Sequence, residues 1–517
     1  MIWFENEKML KMSQEHDDAL LSKNISKLEA LIVDNSNLAE DSQLHTMIRA
    51  KHYYSAATST SELINLKKVK NLELECYLEK VLYYYRNSIE FQKSYLSKSK
   101  KFNLNEAGNF WSIYHSTIVN YSNILSSIGR IPSAISSINE SAAKGFGMAI
   151  GNLGGYLKHY GDMDYNDGHK CILYQEALKL FKIAIESTDD NVHEEAKQYF
   201  EKGFNEILSV FRSTEYDNLD VSSSLLFMNV NKINWADSSI NEMKRYSNWK
   251  AYNSLTLNTL NDLDKSANRD NDCLHLPDMI FSRVKFNYDY HGLFNQIKQE
   301  YCSSRYLIFD GIYNKTQHFS DKEVFMVDTF DYPVYSLNIE KIKSGYRAIY
   351  SIFDRIAFFL NEYLNIGIGQ NRIDFNRLWA KRKNGKTQNK IFRMMQNNYL
   401  LRGLYWIKKD LYNSTESEYK GIINPSLNRA YLIRNTMEHR YLKIVDDWLT
   451  KPEEENNSLL DMVVSQYEFE RLAIELLRTV RETIILLTQI VYFEERQKDK
   501  TGTVQIKLNP YLDDWKV

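Results

Sequence analysis

Asn152-Leu-Gly-Gly-Tyr-Leu-Lys-His-Tyr-Gly161 aligns without a gap to Asn120-Tyr-Ser-Asn-Ile-Leu-Ser-Ser-Ile-Gly129, at an offset of 32 residues. A self-similar period of that length is the signature of helix pairs that bury their apolar faces by stacking on their neighbours. Each copy continues into a second helical pattern. The first runs through Ala134 and Ile135, and the second through Ala177, Leu178, Phe181 and Ala184, after an insertion holding Asp164 to Gly168. Small residues let paired helices approach, and the glycine that closes each copy is suited to end its first helix. Upstream, Leu28–Val33, Met47–Tyr54 and Leu72–Phe91 carry helical patterns that read as further pairs of the same stack. Tyr83, Tyr84 and Tyr85 point three ways on a helix, so one or two of them are expected in the core.

The second copy resembles the tetratricopeptide consensus. In the first, Ile138 and Ser141 stand where that pattern prefers Phe and Ala; one stays apolar and the other stays small, so the pair can still pack. A short, irregular helical solenoid is expected. Six Pro and 19 Gly in 517 residues, with Leu, Ile, Lys, Glu and Asn throughout, agree with long helices and few tight turns. The fold class is all-α.

Downstream, Asn424 is a plausible N-cap, Pro425 suits the first helical position and Pro452 lies past the end, which frames a helix from about Pro425 to Trp448. Ile433, Met437, Tyr441, Ile444 and Trp448 share one apolar sector, which should face the core. Asn435 and His439 fall nearly opposite, and Arg434 flanks them with a side chain long enough to reach the same spot. Tyr431, Leu432 and Leu442 border this polar sector and are too apolar to be left to water, so a partner helix is expected over them. The alternative is a surface helix on which Arg434 and Glu438 form an i,i+4 ion pair, worth only about 0.2–0.5 kcal/mol.

Arg434, Asn435 and His439 match, position by position, the Arg–polar–His pattern of the HEPN superfamily of helical ribonuclease and nucleotide-binding domains. The stretches from Asp331 to Lys341 and from Tyr350 to Leu360 resemble the opening helix of a bacterial branch that carries tetratricopeptide-like repeats upstream. The resemblance implies a C-terminal HEPN bundle, a homodimer that joins two Arg–His motifs with Tyr431, Leu432 and Leu442 at its interface, and RNA as substrate. It assigns His439 as general base or acid for attack by the ribose 2′-OH, Arg434 as the phosphate ligand, and Asn435 as a residue that orients the histidine or contacts the phosphate. It also points to bacterial defence or toxin-like growth arrest, with a protein or ligand trigger held by the repeats. A non-catalytic adaptor, whose HEPN domain dimerises or binds a nucleotide, is the competing reading.

Lys plus Arg (65) nearly balance Asp plus Glu (67), so a basic site must be local. Between Asp374 and Asp410 there is no acidic residue, while Lys381, Arg382, Lys383, Lys386, Lys390 and Arg393 are interleaved with Trp379, Phe392, Tyr399, Tyr405 and Trp406. Such a stretch suits an RNA strand, with phosphates held by charge and bases stacked on rings. A solvated basic loop between core helices with buried aromatics fits equally, and acidic groups from a partner subunit are a third option.

Four scattered cysteines form no C-x-x-C pair, which argues against a disulfide framework or zinc ribbon and fits a reducing cytoplasm. Cys273, His275, His291 and Cys302 match no standard zinc spacing. The opening Met1-Ile-Trp-Phe-Glu-Asn-Glu-Lys meets charge too early for a signal peptide, and no uncharged run reaches the length of a membrane span. Gly145-Phe-Gly147 and Gly151 to Gly155 are read as helix-packing glycines rather than a nucleotide loop. No zinc-protease His-Glu-x-x-His, serine elbow or cofactor motif occurs, and no cofactor is expected.

The expected organisation is helical repeats over 1–105, tetratricopeptide-like repeats over 106–212, a connecting region over 213–332 with short helices at Asp278–Asn287 and His291–Arg305, the HEPN domain over 333–498, and a tail over 499–517. The domain would open with a helix over Ile339–Leu364 and close with one over about Leu459–Gln497. In the tail, Val504 onward alternates as a strand would, and Tyr511 and Trp515 are expected to pack back on the domain.

Overall fold

The structure, a computed structural model, describes residues 6–98, 104–188, 192–213, 239–263, 265, 269–282, 288–314, 316–379, 390–412, 424–449, 461–499 and 503–506. They fall into two compact units. The first holds Met1–His159, Tyr174–Ser224 and Asn413–Asn424; the second holds Tyr160–Leu173, Leu225–Tyr412 and Pro425–Val517. Among the described residues no helix is long and apolar enough to cross a membrane.

Helices in the N-terminal part of the chain are α1 (Glu7–Leu21), α2 (Ile25–Glu40), α3 (Thr46–Lys67), α4 (Asn71–Lys98), α5 (Leu104–Ser127), α6 (Ile131–Ala143), α7 (Gly147–Asp162), α8 (Asp167–Ile185) and α9 (Glu194–Ser213). Neighbours α2 and α3, α3 and α4, and α5 and α6 pack as pairs. Asn6 and Asn24 cap α1 and α2 by accepting the N–H of Met9 and Lys27. Ala56 and Ala57 on α3 are fully buried and let Tyr53, Tyr84 and Tyr85 fill the space between helices. Two of the three consecutive tyrosines are thus in the core, as their spacing requires.

In the first repeat, Gly129 adopts φ +86°, and the N–H groups of Gly129 and Arg130 return to the carbonyls of Ser126 (3.0 Å) and Leu125 (2.9 Å). This glycine-dependent motif ends α5 and turns the chain into α6. Ser141, the departure from the consensus, is fully buried and its hydroxyl pairs with His115 Nδ1 at 2.9 Å. In the second repeat a Cβ on Gly154 would sit 3.0 Å from the Phe181 ring and 3.2 Å from the Ala177 carbonyl, so the glycine permits close approach there. Gly161, expected to end α7, lies inside it.

The second unit contains α10 (Glu242–Tyr252), α11 (Asp289–Tyr313), α12 (Leu337–Tyr363), α13 (Lys390–Asn397), α14 (Tyr399–Leu411), α15 (Pro425–His439) and α16 (Gln466–Gln497), with strands β1 (Met279–Ser282), β2 (Tyr441–Val445), β3 (Asp461–Ser465) and β4 (Thr503–Ile506). Helices α11 and α12 form its most extensive pair, and α16 packs on α11, α12, α14 and α15. Every residue of α16 from Thr479 to Val491 is buried, as expected of a helix enclosed on all sides. Ser465 is its N-cap, accepting the N–H of Glu468 at 3.1 Å.

Several expectations are corrected here. Residues 279–282 form a strand where a helix over Asp278–Asn287 was expected, because they pair antiparallel with β4. The short helix expected at His291–Arg305 is the middle of the 25-residue α11. The final helix starts at Gln466 rather than near Leu459, because Asp461–Ser465 pair in parallel with Tyr441–Val445. Tyr511 and Trp515 lie outside the described residues.

The connecting region is also more than a linker where it is described. Thr256, Asn258, Thr259, Asn261 and Asp262 are buried. Arg481 of α16 donates to the carbonyls of Thr256 (2.6 Å) and Asn258 (2.8 Å) and to Asp262 Oδ1 (2.8 Å). Arg305 of α11 donates to the Leu255 carbonyl (2.8 Å) and grips Asp272 through both terminal nitrogens, at 2.8 and 2.7 Å. Two buried guanidiniums thereby satisfy the backbone of an irregular polar segment.

Candidate active site

Helix α15 buries Leu427, Ala430, Ile433 and Met437, a helical spacing that seats one face against the bundle. The Tyr346 hydroxyl of α12 donates to the Ala430 carbonyl at 3.1 Å. At its other end Arg347 donates to the Met437 carbonyl at 3.2 Å and pairs with Glu438 at 3.4 Å. Arg429 pairs with Glu468 at 3.2 Å, which ties α15 to α16.

The helix stops at His439 rather than continuing to Trp448. The Arg440 N–H closes the last turn on Thr436 at 2.8 Å, and the chain then enters β2. Tyr441-Leu-Lys-Ile-Val445 satisfies a strand period as well as a helical one, and the parallel partner β3 selects the strand. Tyr441, Ile444 and Trp448 therefore do not extend the helical stripe, and Trp448 is 78% exposed. Leu442, expected beside Tyr431 and Leu432 on an open helix face, is on β2 and buried. Tyr431 is half-buried against the rings of Tyr350 and Tyr412, and Leu432 remains exposed.

Beside β2 the chain leading into α12 is extended. Val334 N–H donates to the Ile444 carbonyl at 2.7 Å, Lys443 bridges Asp331 (2.5 Å) and Asp461 (2.6 Å), and the hydroxyls of Tyr335 and Tyr441 pair. Within this segment Phe325, Val327 and Phe330 are exposed, as are Tyr332 and Tyr335.

Arg434, Asn435 and His439 lie on the last two turns of α15. Arg434 Nη1 donates to Asn435 Oδ1 at 3.1 Å, and its guanidinium carbon stands 5.2 Å from the centre of the Tyr350 ring, a cation–π arrangement. Among the described residues Arg434 has no ion pair; Glu438, the i+4 partner considered for it, is engaged by Arg347 instead. The side-chain hydrogen bond of Asn435 among the described residues is therefore to the arginine. His439 is exposed at the helix end.

Arg347, Tyr350 and Asp354 were not nominated from the sequence. Their spacing of three and four puts them on one face of α12, which is the signal that finds them once α15 is known to pack there. Burial holds the Asp354 carboxyl above its ordinary range, while the Phe375 N–H at 2.9 Å and the charge of Arg434 act in the opposite direction.

Lys381, Arg382, Lys383 and Lys386 lie outside the described residues. The Lys390 ammonium donates to the carbonyls of Leu364 (2.7 Å) and Asn365 (3.3 Å), where it caps the C-terminus of α12. Arg393 is exposed. Trp379, Phe392, Tyr405 and Trp406 are buried, and all but Trp406 pack mutually, with Trp406 beside Tyr405. They are core rings, so of the two readings these four follow the one with buried aromatics and not the base-stacking platform. Among the described residues no group of three or more His, Cys, Asp or Glu side chains is arranged to hold a metal ion.

The LA2681-like HEPN family model matches residues 282–494, a span of 213 of the 517 residues that includes α11 to α15 and nearly all of α16. Neither the curated proteins nor the solved structures yield a match.

Proposed function

This chain is a member of the HEPN superfamily through its LA2681-like domain, and from that premise we propose that it is an endoribonuclease acting without a metal at a site that two copies complete. The observation that carries the reading is the division of charge on α15: Arg347 takes up Glu438, while Arg434 makes no ion pair among the described residues, on the helix that ends in exposed His439. An unneutralised arginine suits a phosphate dianion or a developing oxyanion better than a paired one.

In this reading His439 removes the proton from a ribose 2′-OH. The 2′-oxygen then bonds to phosphorus, the bond from phosphorus to the 5′-oxygen breaks, and a proton from the second His439 leaves with the 5′-hydroxyl. Arg434, oriented by Asn435, holds the non-bridging oxygens. RNA fragments would end in a 2′,3′-cyclic phosphate, and DNA, lacking the nucleophile, would not be cut. The exposure of Leu432, and of Phe325, Val327 and Phe330, supports a homodimer through the HEPN domain. The helical repeats would hold a protein or ligand trigger, and the reaction would serve defence or growth arrest in the cytoplasm.

The buried aromatics between Trp379 and Trp406 favour a second reading, because they remove the stacking surface expected for RNA: an adaptor whose HEPN domain dimerises or binds a nucleotide. Incubation of the protein with total bacterial RNA in EDTA, beside folded His439→Ala, separates the two. Cutting by the wild type alone, with cyclic-phosphate ends, supports the nuclease. A wild type that is dimeric yet leaves RNA intact, including after addition of cell extract as a source of trigger, supports the adaptor.

A further inference from the structure

Within the second unit, the turn between α7 and α8 and the segment that precedes β1 bring four reactive side chains together. The Thr259 hydroxyl donates to Asp164 Oδ2 at 2.7 Å, His169 Nδ1 lies 2.9 Å from Thr259 Oγ1, and His169 Nε2 lies 3.9 Å from Cys273 Sγ. Asp164 is 3% exposed, accepts the Asn166 N–H at 2.9 Å, and its Oδ2 is 3.7 Å from His169 Nδ1.

The hydrogen bonds fix the tautomer. A hydroxyl has one hydrogen, and that of Thr259 goes to the carboxylate, so Thr259 accepts from Nδ1 and Nδ1 carries a proton. The other imidazole nitrogen faces sulfur. Burial lowers the proton affinity of His169, but its contacts with Asp164 and Cys273 outweigh burial and push it up to about 9. Thiols beside a cationic imidazole are the nucleophilic ones, and an imidazole oriented by a third group is the arrangement that activates them.

We propose that Cys273 is a nucleophilic thiol, activated by His169 and oriented through Thr259 and Asp164, and that it is a modification site for hydroperoxides, separate from the Arg434–His439 helix. The thiolate attacks the peroxide oxygen distal to the leaving group. The S–O bond forms as the O–O bond breaks, the alkoxide or hydroxide leaves with the proton on His169 Nε2, and sulfur ends as sulfenic acid while the peroxide is reduced to alcohol or water.

The other cysteines supply internal controls. Cys76 is exposed and Cys273 is only partly so; on access alone Cys76 reacts first. Burial pushes the Cys302 thiol up to about 11, which leaves it inert. The full chain would be treated with hydrogen peroxide at pH 7 with dimedone present to trap sulfenic acid, and labelling at each cysteine read by peptide mass spectrometry. Cys273 is expected to label about tenfold faster than Cys76, and His169→Gln to remove that advantage while Cys76 labelling stays the same. Faster labelling of Cys76 in the wild type overturns the proposal, and that comparison needs no variant. An undiminished Cys273 rate in folded His169→Gln overturns it as well.

Discussion

Arg305 and Arg481 are buried; Arg305 grips Asp272 and the Leu255 carbonyl, and Arg481 grips Asp262 and the carbonyls of Thr256 and Asn258, whereas Arg434, on α15 of the same unit, is half-buried and rests on an amide and an aromatic ring. The first two make an irregular polar segment part of a folded core. The third leaves its charge available on a helix that ends in an open histidine. An arginine's role is set by whether a carboxylate claims it, and α15 arranges this by giving its own carboxylate, Glu438, to Arg347 of α12.

The comparison breaks first at Arg481. Arg481→Met leaves Asp262 buried without its cation, with the Tyr160 hydroxyl still donating to it at 2.9 Å, and is expected to cost about 3–5 kcal/mol, read as a lower denaturation midpoint. If the midpoint hardly moves, the segment is not held as described. Adding Asp262→Leu to the same chain should restore part of the loss, because the uncompensated charge is then gone.

A second way to sharpen it is acid. Burial raises the Asp272 carboxyl, but the Arg305 charge and hydrogen bonds outweigh burial and hold it down to about 2, against an ordinary 3.8. A depressed carboxylate stabilises the fold above its ordinary range, and that stability is lost as pH falls through about 2. Between about pH 4 and 2, Asp272→Asn should lose less stability than the wild type, though it starts lower; parallel acid-unfolding curves would count against the pair.

Lys390→Ala should lower stability by about 1 kcal/mol or less, since its ammonium caps α12, and should leave RNA binding intact. A large loss of RNA affinity with unchanged stability would return Lys390 to the substrate surface.

Much of this contrast was legible in the sequence, and the part that was not has a physical cause. Repeats ending at Gly129 and built around Ala177 and Phe181 specify helix pairs locally, and Pro425 with the spacing of Ile433 and Met437 places Arg434, Asn435 and His439 on one helix. By contrast, Tyr441 to Val445 fit both periods, and the pairing that decides for a strand comes from Asp461 to Ser465, which local pattern does not reveal. Asn258 to Asp262 fall in the expected connecting region and carry no apolar period of their own; what holds them in the core is Arg481, more than 200 residues downstream, along with Arg305 of α11, which holds the neighbouring Leu255 and Asp272. Trp379, Phe392 and Tyr405 alternate with cations in sequence, yet a ring packed in the core and a ring open to a base have the same spacing.

The central claim is that Arg434 belongs to the site and not to the scaffold, and Arg434→Ala tests it most directly, with the unfolding midpoint and RNA cleavage measured on the same preparation. The expected result is a stability change of about 1 kcal/mol or less together with loss of wild-type cleavage. A variant that cuts RNA as the wild type does, or one that unfolds as Arg481→Met is expected to, would contradict it.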